Sequence, residues 1–318
     1  MGASLFMQIS DMKRFVFKAF LFVFLVALCD CLFGLVFPVT QEYAKGGNTW
    51  VNTYISKHCD ADILVLGSSR AQHHYVPKIL DSLGGVSFNA GNDGMGIILG
   101  LGRYMMCAEK HTPKIVIYEL TPSFDWVKDD NSRYLNFLRP YGNKTYIRDI
   151  IAKIDDPFIR IKMLSSMYRN TSRIIPCIRD IFAKDESQYR GYLPLFNEYS
   201  GNINGNGKNK NHLQELDPVK LEFLKQLVQE TKSRGTKLYF AISPRFSKEK
   251  MNELPKTYAY AEEISKMYNT PLLNNMYIPG ISDNSVMFDD ATHLNNRGAE
   301  KYTRKVVDDL VVLTSKGE

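Results

Sequence analysis

The sequence predicts an α/β fold in which helices cover a parallel β-sheet, joined to one N-terminal transmembrane helix. Three observations lead to this class: short β-branched apolar runs, amphipathic helical stretches between them, and one long apolar stretch near the N-terminus. Strands that alternate with helices along a chain pair in parallel, and the helices then cover both faces of the sheet. With 44% hydrophobic residues in 318, the chain has enough apolar material for a large core.

The N-terminal apolar stretch predicts an uncleaved membrane anchor. Residues 15–39 are almost entirely apolar, interrupted by Lys18 and Asp30, and this length crosses a hydrocarbon core of about 30 Å. A cleaved signal peptide has a shorter apolar segment and a small-residue exit, which this stretch lacks. Lys13 and Arg14 precede it and hold that end in the cytoplasm. We therefore expect a single membrane span, with the rest of the chain in the periplasm or at the cell surface.

Five short apolar runs predict the strands of the sheet, at residues 62–66, 85–88, 114–120, 237–242 and 271–273. Helical periodicity predicts the other elements, at residues 68–83, 95–109, 146–160, 173–182, 218–233, 258–268 and 296–313. Pro77 marks an interruption or a helix start within the first of these helices.

The elements divide the chain into three parts and one insertion. A cytoplasmic tip and the anchor take up residues 1–40, a polar connector follows at 41–60, and the α/β domain occupies 61–318. An insertion at about 124–216 interrupts the alternation after the third strand. It ends in an Asn- and Gly-rich stretch, 201–211, whose composition predicts a mobile loop. Open α/β sheets build their ligand crevice at such a place, so the insertion is either a lid or substrate-recognition subdomain or a decoration that only packs.

Charge and cysteine content argue against several function classes. The formal net charge is +6, and the basic residues are scattered rather than massed, so we expect no nucleic-acid partner. Five cysteines without regular spacing do not form a disulfide framework; one bridge is feasible, but none is predicted. No Cys/His grouping has the spacing of zinc ligands, and we expect neither a metal nor another cofactor.

Three short motifs together predict a serine acyl-transfer site. Gly67-Ser68-Ser69 follows the first strand, a glycine turn ending at Gly94 follows the second, and Asp290 precedes His293 by three residues. The C-terminal ends of parallel strands meet at one edge of a sheet, which places the first two motifs together. We predict Ser69 as the nucleophile, His293 as the general base and acid, and Asp290 as the group that orients the imidazole. The backbone N–H groups of Gly94 and Ser69 are the predicted oxyanion donors.

These motifs resemble the conserved blocks of the SGNH/GDSL hydrolase superfamily. Gly67-Ser68-Ser69 stands where that superfamily has its Gly-Asp-Ser block, Asn89-x-Gly91-x-x-Gly94 looks like its second block, and Asp290-x-x-His293 looks like its C-terminal block. The resemblance covers residues 62–312 apart from the insertion. It implies a flavodoxin-like three-layer sandwich and a metal-free esterase, lipase or glycan acyl transferase.

The third block of that superfamily, Gly-x-Asn-Asp after the third strand, has no counterpart here. The strand runs into residues 119–126, which contain no Gly-x-Asn. The missing Asn would donate to the oxyanion hole, and losing one such donor costs about 10²–10³ in turnover. Either Asn92 or Ser123 replaces it, or the activity is slow, or the site is degenerate. A similar Pro-aromatic ending is found in DltD-like envelope acyl-transfer proteins, which the chain also resembles in its single N-terminal helix.

Further charged side chains lie close to the motifs in sequence. Arg70 either contacts an anionic substrate or pairs with a neighbouring carboxylate, and the second interpretation is favoured. Arg245 follows the fourth strand at the same sheet edge and is a candidate substrate contact. His73 and His74 follow the first motif on its helix and are expected at the surface. Asp289 is the alternative orienting carboxylate.

The sequence therefore predicts a membrane-anchored serine esterase or O-acyltransferase that acts on an acylated envelope glycan, or another ester, through an acyl-enzyme. The alternative is a catalytically silent glycan-binding or polysaccharide-assembly component, which the missing third block favours. A nucleotide-binding flavodoxin-like protein is a weaker hypothesis, because residues 91–96 match neither phosphate-loop pattern.

Overall fold

The computed structural model of this protein describes residues 2–154, 158–201, 215–247 and 255–315. Most of the predicted loop at 201–211 lies outside these residues. The described part confirms an α/β protein with a parallel sheet and one N-terminal apolar helix.

All five predicted strands are present, and they form one parallel sheet. The strands are β1 (Ile63–Gly67), β2 (Ser87–Asn89), β3 (Ile115–Glu119), β4 (Lys237–Ile242) and β5 (Leu272–Asn274). Their order across the sheet is β2-β1-β3-β4-β5, and every neighbouring pair is parallel. The C-terminal ends of β1 and β3 therefore lie side by side, with Gly67 opposite Glu119.

Thirteen α-helices accompany the sheet in the described part of the chain, besides shorter 3-10 and π-helical turns. They are α1 (Gly2–Thr40), α2 (Gly47–Thr53), α3 (Ser69–His74), α4 (Pro77–Leu80), α5 (Ile97–Lys110), α6 (Pro122–Asp125), α7 (Thr145–Ala152), α8 (Ile159–Lys162), α9 (Ser166–Asn170), α10 (Ile174–Ile181), α11 (Pro218–Ser233), α12 (Lys256–Tyr268) and α13 (Asn296–Ser315). The predicted helix at 68–83 is divided, because Val76 is extended and Pro77 begins α4. The helix predicted at 146–160 ends at Ala152, five residues before Pro157.

Alternate side chains of the strands enter two apolar clusters, one on each face of the sheet. Leu64 and Leu66 of β1 belong to the cluster that also contains residues of α5 and α11. Ile63 and Val65 belong to the second cluster, which contains residues of α3, α4 and α13. Because strand side chains alternate in direction, both faces of β1 are buried, as expected of a central parallel strand.

Helix α1 has the length and composition of a membrane span. A candidate span runs over residues 11–43 with a mean hydropathy of 2.7, and almost none of it is buried against the rest of the protein. Its apolar side chains are exposed, with Phe15 at 72% and Leu35 at 70%. This helix is the one element of the described chain that is long and apolar enough to cross a bilayer.

The segment after α1 is folded onto the domain, and it contains a disulfide bond that the sequence analysis did not predict. Val51 of α2 and Ile55 of the following π-helical turn are buried in the core cluster with α5. Cys59 is bonded to Cys107 of α5. Counting cysteines missed this bond because the two lie 48 residues apart and meet only when the turn packs on α5.

Candidate active site

Ser69 begins helix α3 directly beyond the C-terminal end of β1. The turn between strand and helix requires Gly67, which has φ +135°, and a Cβ there would lie 2.6 Å from the Glu119 carbonyl oxygen. Ser68 is buried, and its hydroxyl lies 2.8 Å from the Thr121 hydroxyl. Ser69 is only partly buried and faces a cavity at the sheet edge. The local fold thus buries Ser68, whereas Ser69 faces the cavity.

The structure brings Ser69, His293 and Asp290 into one hydrogen-bonded chain. The Ser69 Oγ lies 2.8 Å from the His293 Nε2, although the two residues are 224 positions apart. The His293 Nδ1 lies 2.8 Å from the Asp290 Oδ2. The other carboxylate oxygen, Oδ1, accepts the backbone N–H groups of Thr292 and His293 at 2.7 and 2.9 Å. One tight turn therefore fixes both the carboxylate and the imidazole.

The surroundings of Asp290 keep its carboxylate ionised. Partial burial raises its pKa, but the hydrogen bond from His293 and the N–H of Thr292 outweigh this and lower the pKa below the usual 3.8. An ionised carboxylate accepts, so the His293 Nδ1 carries the proton and Nε2 is left as the acceptor for the serine hydroxyl. Asp289 does not take this role, because its Oδ1 accepts the backbone N–H of Asn197.

His74 is buried in the domain, and the expectation of a surface histidine was wrong. Its Nε2 accepts the backbone N–H of Leu294 at 2.9 Å, and its Nδ1 lies 2.7 Å from the Ser243 Oγ. Burial, and then the nearby Arg70 charge, lower its pKa well below 6.5, so the ring is neutral. The side chain thus holds the backbone next to His293. The sequence gives one signal for this role, a position on the same short helix as Ser69.

His73 is buried as well, which also contradicts the expectation. Its Nδ1 lies 2.7 Å from the Leu193 carbonyl oxygen and its Nε2 lies 3.0 Å from the Asp93 Oδ1. Its ring meets the His293 ring edge-on, with centroids 5.6 Å apart. Both histidines are covered because the insertion and α13 pack over α3, a long-range contact that helix periodicity cannot reveal.

A cavity of about 280 Å³ opens in front of the Ser69 hydroxyl. It is lined by Ser68, Ser69, Arg70, Thr121, Pro122, Ser123, Arg245, Thr257, Tyr258, Thr292 and His293. A larger cleft of about 640 Å³ lies between α7 and α11, and its lining contains no serine or histidine. Arg245, the predicted substrate contact, lines the smaller cavity, and burial lowers the pKa of its guanidinium.

Arg70 is held by a buried polar network rather than left free for an anionic substrate. Its Nε lies 3.3 Å from the Glu119 Oε1 and donates to the Ser243 Oγ at 3.1 Å. Its Nη1 donates to the Tyr258 hydroxyl at 2.7 Å. The side chain is 5% exposed, so the neighbouring carboxylate neutralises a charge that would otherwise be buried alone. The favoured interpretation of Arg70, pairing with a carboxylate, agrees with this geometry.

Some of the candidate oxyanion donors line the cavity, and others lie outside its lining. Ser123 lines the cavity, whereas Asn92 and Gly94 are not part of its lining. The Asn92 amide nitrogen lies 3.2 Å from the Asp93 carbonyl oxygen, and its Oδ1 is buried with no hydrogen-bond partner among the described residues. The Asn92 backbone N–H donates to the Gly67 carbonyl oxygen, which ties this turn to the start of α3.

The segment after β3, which stands where the superfamily has its third block, is held in place by hydrogen bonds to Asp125. Its Oδ2 accepts the backbone N–H of Thr121 at 2.6 Å, and its Oδ1 accepts the N–H of Ile97 and the hydroxyl of Tyr118. Burial raises the pKa of this carboxyl to about 7. A proline-initiated helical turn, α6, therefore stands at the end of β3 and carries Ser123 to the cavity.

The geometry has the components of nucleophilic catalysis: a hydroxyl, a base within hydrogen-bond distance, and a carboxylate that orients the base. Within the described residues, no group of three or more His, Cys, Asp or Glu side chains is arranged to hold a metal ion. Comparison with protein-family models gives no match, and comparison with curated proteins gives none either.

Proposed function

We propose that this protein is a membrane-anchored serine esterase or O-acyltransferase of the SGNH type. The observation that carries the proposal is the chain of 2.8 Å contacts from Ser69 through His293 to Asp290 at the mouth of a cavity. Support also comes from the order of the three sequence motifs and from the parallel sheet. A flavodoxin-like three-layer arrangement is the finer fold that accompanies this proposal.

The proposed reaction has two halves. The Ser69 Oγ attacks the ester carbonyl while the His293 Nε2 takes its proton, and the imidazolium then returns the proton to the departing alcohol. This leaves an acyl-enzyme. Water or a glycan hydroxyl attacks it, again giving its proton to His293, and Ser69 is regenerated. The backbone N–H of Ser69 and the hydroxyl of Ser123, which replaces the missing Asn, line the cavity and are the proposed oxyanion donors. The predicted contribution of Gly94 would require its turn to approach the cavity, because Gly94 is not part of the lining.

The proposed substrate is an acylated envelope polysaccharide. The proposed location of this substrate depends on the orientation of α1. Lys13 and Arg14 precede the apolar part of α1 and would keep that end in the cytoplasm, which leaves the domain outside it. The Cys59–Cys107 bond supports the same side, because disulfides persist in oxidising compartments. Arg245 and Tyr258 at the cavity offer hydrogen-bond donors and an aromatic ring to a sugar.

One observation favours the second candidate, a catalytically silent glycan-binding or assembly component. The Gly-x-Asn block is absent, and the side-chain amide of Asn92 points into the turn rather than into the cavity. If no other group replaces that donor, the tetrahedral intermediate loses part of its stabilisation.

A fluorophosphonate probe separates the two candidates. We expect full-length wild-type protein to be labelled and Ser69→Ala to remain unlabelled, since the probe reacts only with an activated hydroxyl. Ser68→Ala is the matched control: it removes the neighbouring hydroxyl, which is bonded to Thr121, and labelling should persist. Absence of labelling in the folded wild type, or labelling that survives in Ser69→Ala, would favour the silent component.

A further inference from the structure

The insertion carries a set of exposed apolar side chains between residues 161 and 182. Six of these are exposed by 46% (Met167) to 85% (Phe182). We call this set of six the insertion apolar surface: Ile161, Leu164, Met167, Ile175, Ile178 and Phe182. Ile175 and Ile178 lie on one face of α10, Phe182 follows its last residue, and Cys177 and Asp180 of that helix are buried. An exposed apolar patch on a folded domain marks a surface that meets a partner or a membrane.

This surface is attached directly to α1. The Asp30 carboxylate accepts the Ser165 hydroxyl at 2.7 Å and the backbone N–H groups of Ser166 and Met167 at 2.9 and 2.8 Å. Gly34 lies against the same place, since a Cβ there would be 2.9 Å from the Ser166 Cβ. The beginning of α9 is therefore held at the level of residues 30–34 of α1. This contact also accounts for an acidic residue within an apolar helix, because its oxygens are bonded instead of facing lipid.

The length of α1 gives the depth of that contact. A hydrocarbon core of about 30 Å takes about 20 residues of helix. Counted from Arg14, the core ends near Gly34, and Asp30 then lies about 6 Å beneath its boundary. Helices that lie in the plane of a membrane bury their apolar face by about 5–10 Å. The beginning of α9 is thus at the depth at which such helices lie.

The charges around the surface suit a phospholipid membrane rather than a second protein copy. Residues 158–182 contain four basic residues that are not buried, Arg160, Lys162, Arg169 and Arg179, whereas Arg173 and the one acidic residue, Asp180, are both buried. A segment with exposed apolar side chains and surrounding basic ones fits acyl chains below and anionic headgroups above. Two copies of such a segment would place like charges together.

We propose that the insertion apolar surface is embedded in the boundary of the bilayer beside α1, in the leaflet that faces the domain. The protein then has two membrane contacts, a spanning helix and an in-plane surface, which together fix the orientation of the catalytic cavity relative to the membrane. This inference rests on the proposed anchor, and its partner is phospholipid.

Tryptophan quenching by brominated acyl chains tests the embedding. The full-length chain is reconstituted in phosphatidylcholine–phosphatidylglycerol vesicles, with and without bromine on the acyl chains. Leu164→Trp, Ile175→Trp and Phe182→Trp each place an indole on the surface; wild type, with its two native tryptophans, gives the baseline. We expect bromine to remove most of the added emission of all three variants, because quenching requires contact with the acyl chains.

Two controls make each outcome decisive. Met267→Trp places an indole at a 62% exposed site on α12, beside β5 at the far edge of the sheet, and its emission should be unaffected. Phe24→Trp reports on α1 itself.

If Phe24→Trp is quenched and the three surface variants are not, the embedding is contradicted while the anchor stands. Protection of the surface variants from aqueous iodide without bromine quenching would indicate a protein partner and also overturn the proposal. If Phe24→Trp is not quenched, anchor and embedding fall together.

Discussion

At the scale of single residues, Asp290 uses its two oxygens for different tasks. Oδ1 holds the turn through two backbone N–H groups, and Oδ2 holds the proton of the His293 Nδ1. Asp290→Asn keeps an oxygen for the turn but places an NH₂ group opposite Nδ1, which favours the tautomer in which Nε2 is protonated and unable to accept from Ser69. We expect ester turnover to fall by about 10²–10⁴-fold.

Turnover of an activated acetate ester by the full-length variant measures this effect. Asp289→Asn is the matched control, because the Asp289 carboxylate accepts a hydrogen bond from the backbone N–H of Asn197 in the insertion and does not contact the imidazole. Equal losses in both variants would show that the turn, and not the tautomer, matters.

The lowered pKa of His74 makes the free energy of unfolding depend on pH. Its folded-state pKa lies well below the 6.5 of the unfolded chain, so the unfolded state binds the extra proton as the pH falls through 6.5. Stability is therefore present above pH 6.5 and is lost below it, by up to about 1.4 kcal/mol per pH unit for one proton. Denaturant unfolding in detergent at pH 7.5 and 5.5 measures the slope.

The variant His74→Gln isolates this contribution. Glutamine can still accept the Leu294 N–H but does not titrate, so the difference between wild type and variant should shrink as the pH falls from 7.5 to 5.5. His73 has a raised pKa and an opposite slope, which is common to both proteins and cancels. A difference that is constant with pH would contradict a neutral, buried His74.

At the scale of elements, the Cys59–Cys107 bond ties the segment after α2 to α5. It closes a loop of 48 residues that includes β1, α3 and β2, the elements that present Ser69. Removing it with Cys59→Ala/Cys107→Ala should lower the free energy of unfolding by about 2–5 kcal/mol, largely because the unfolded chain gains freedom. The urea midpoint of the full-length chain measures the change.

A cysteine outside the bond provides the control for this prediction. Cys31→Ala removes an exposed thiol of α1 and should leave the midpoint unchanged. Wild type treated with a reductant should match the double variant. An unchanged midpoint in the double variant would mean that packing of the π-helical turn on α5 already holds the segment.

The sheet was predictable because its signals are local. Residues 237–242 include the strand formers Tyr239, Phe240 and Ile242, and the structure has β4 at those positions, while the run at 114–120 contains β3. The position of Ser69 at the sheet edge was predictable in the same way, since the C-terminal ends of parallel strands meet at one edge. The contact between His293 and Ser69 spans 224 positions and was predicted from the order of the three motifs, not from local structure.

What the sequence did not reveal depends on contacts between distant segments. His74 is buried between the Leu294 backbone, which precedes α13, and Ser243, which follows β4, and neither contact leaves a pattern in the sequence of α3. The bond between Cys59 and Cys107 requires the turn after α2 to pack on α5. The capping of α9 by Asp30 joins an anchor to an insertion, two parts of the chain that sequence analysis treats separately.

At the scale of the whole molecule, helix α1 and the insertion are both joined to the α/β domain and to each other. The chain leaves α1 and is folded onto the α/β domain within a few residues through α2, so no long linker separates the domain from α1. The insertion returns to α1 at Asp30 and also covers α3 through Leu193. In the proposed function, these two attachments would hold the cavity in one orientation relative to α1.

The most direct measurement of the central claim is detection of the acyl-enzyme. Full-length protein is mixed with an activated acetate ester, quenched with acid, digested and mapped by mass spectrometry. We expect an acetyl group on Ser69 that accumulates in wild type and is absent in His293→Ala, which lacks the base. An acetyl group on another residue, or none on Ser69 in protein that is folded and intact, would contradict it.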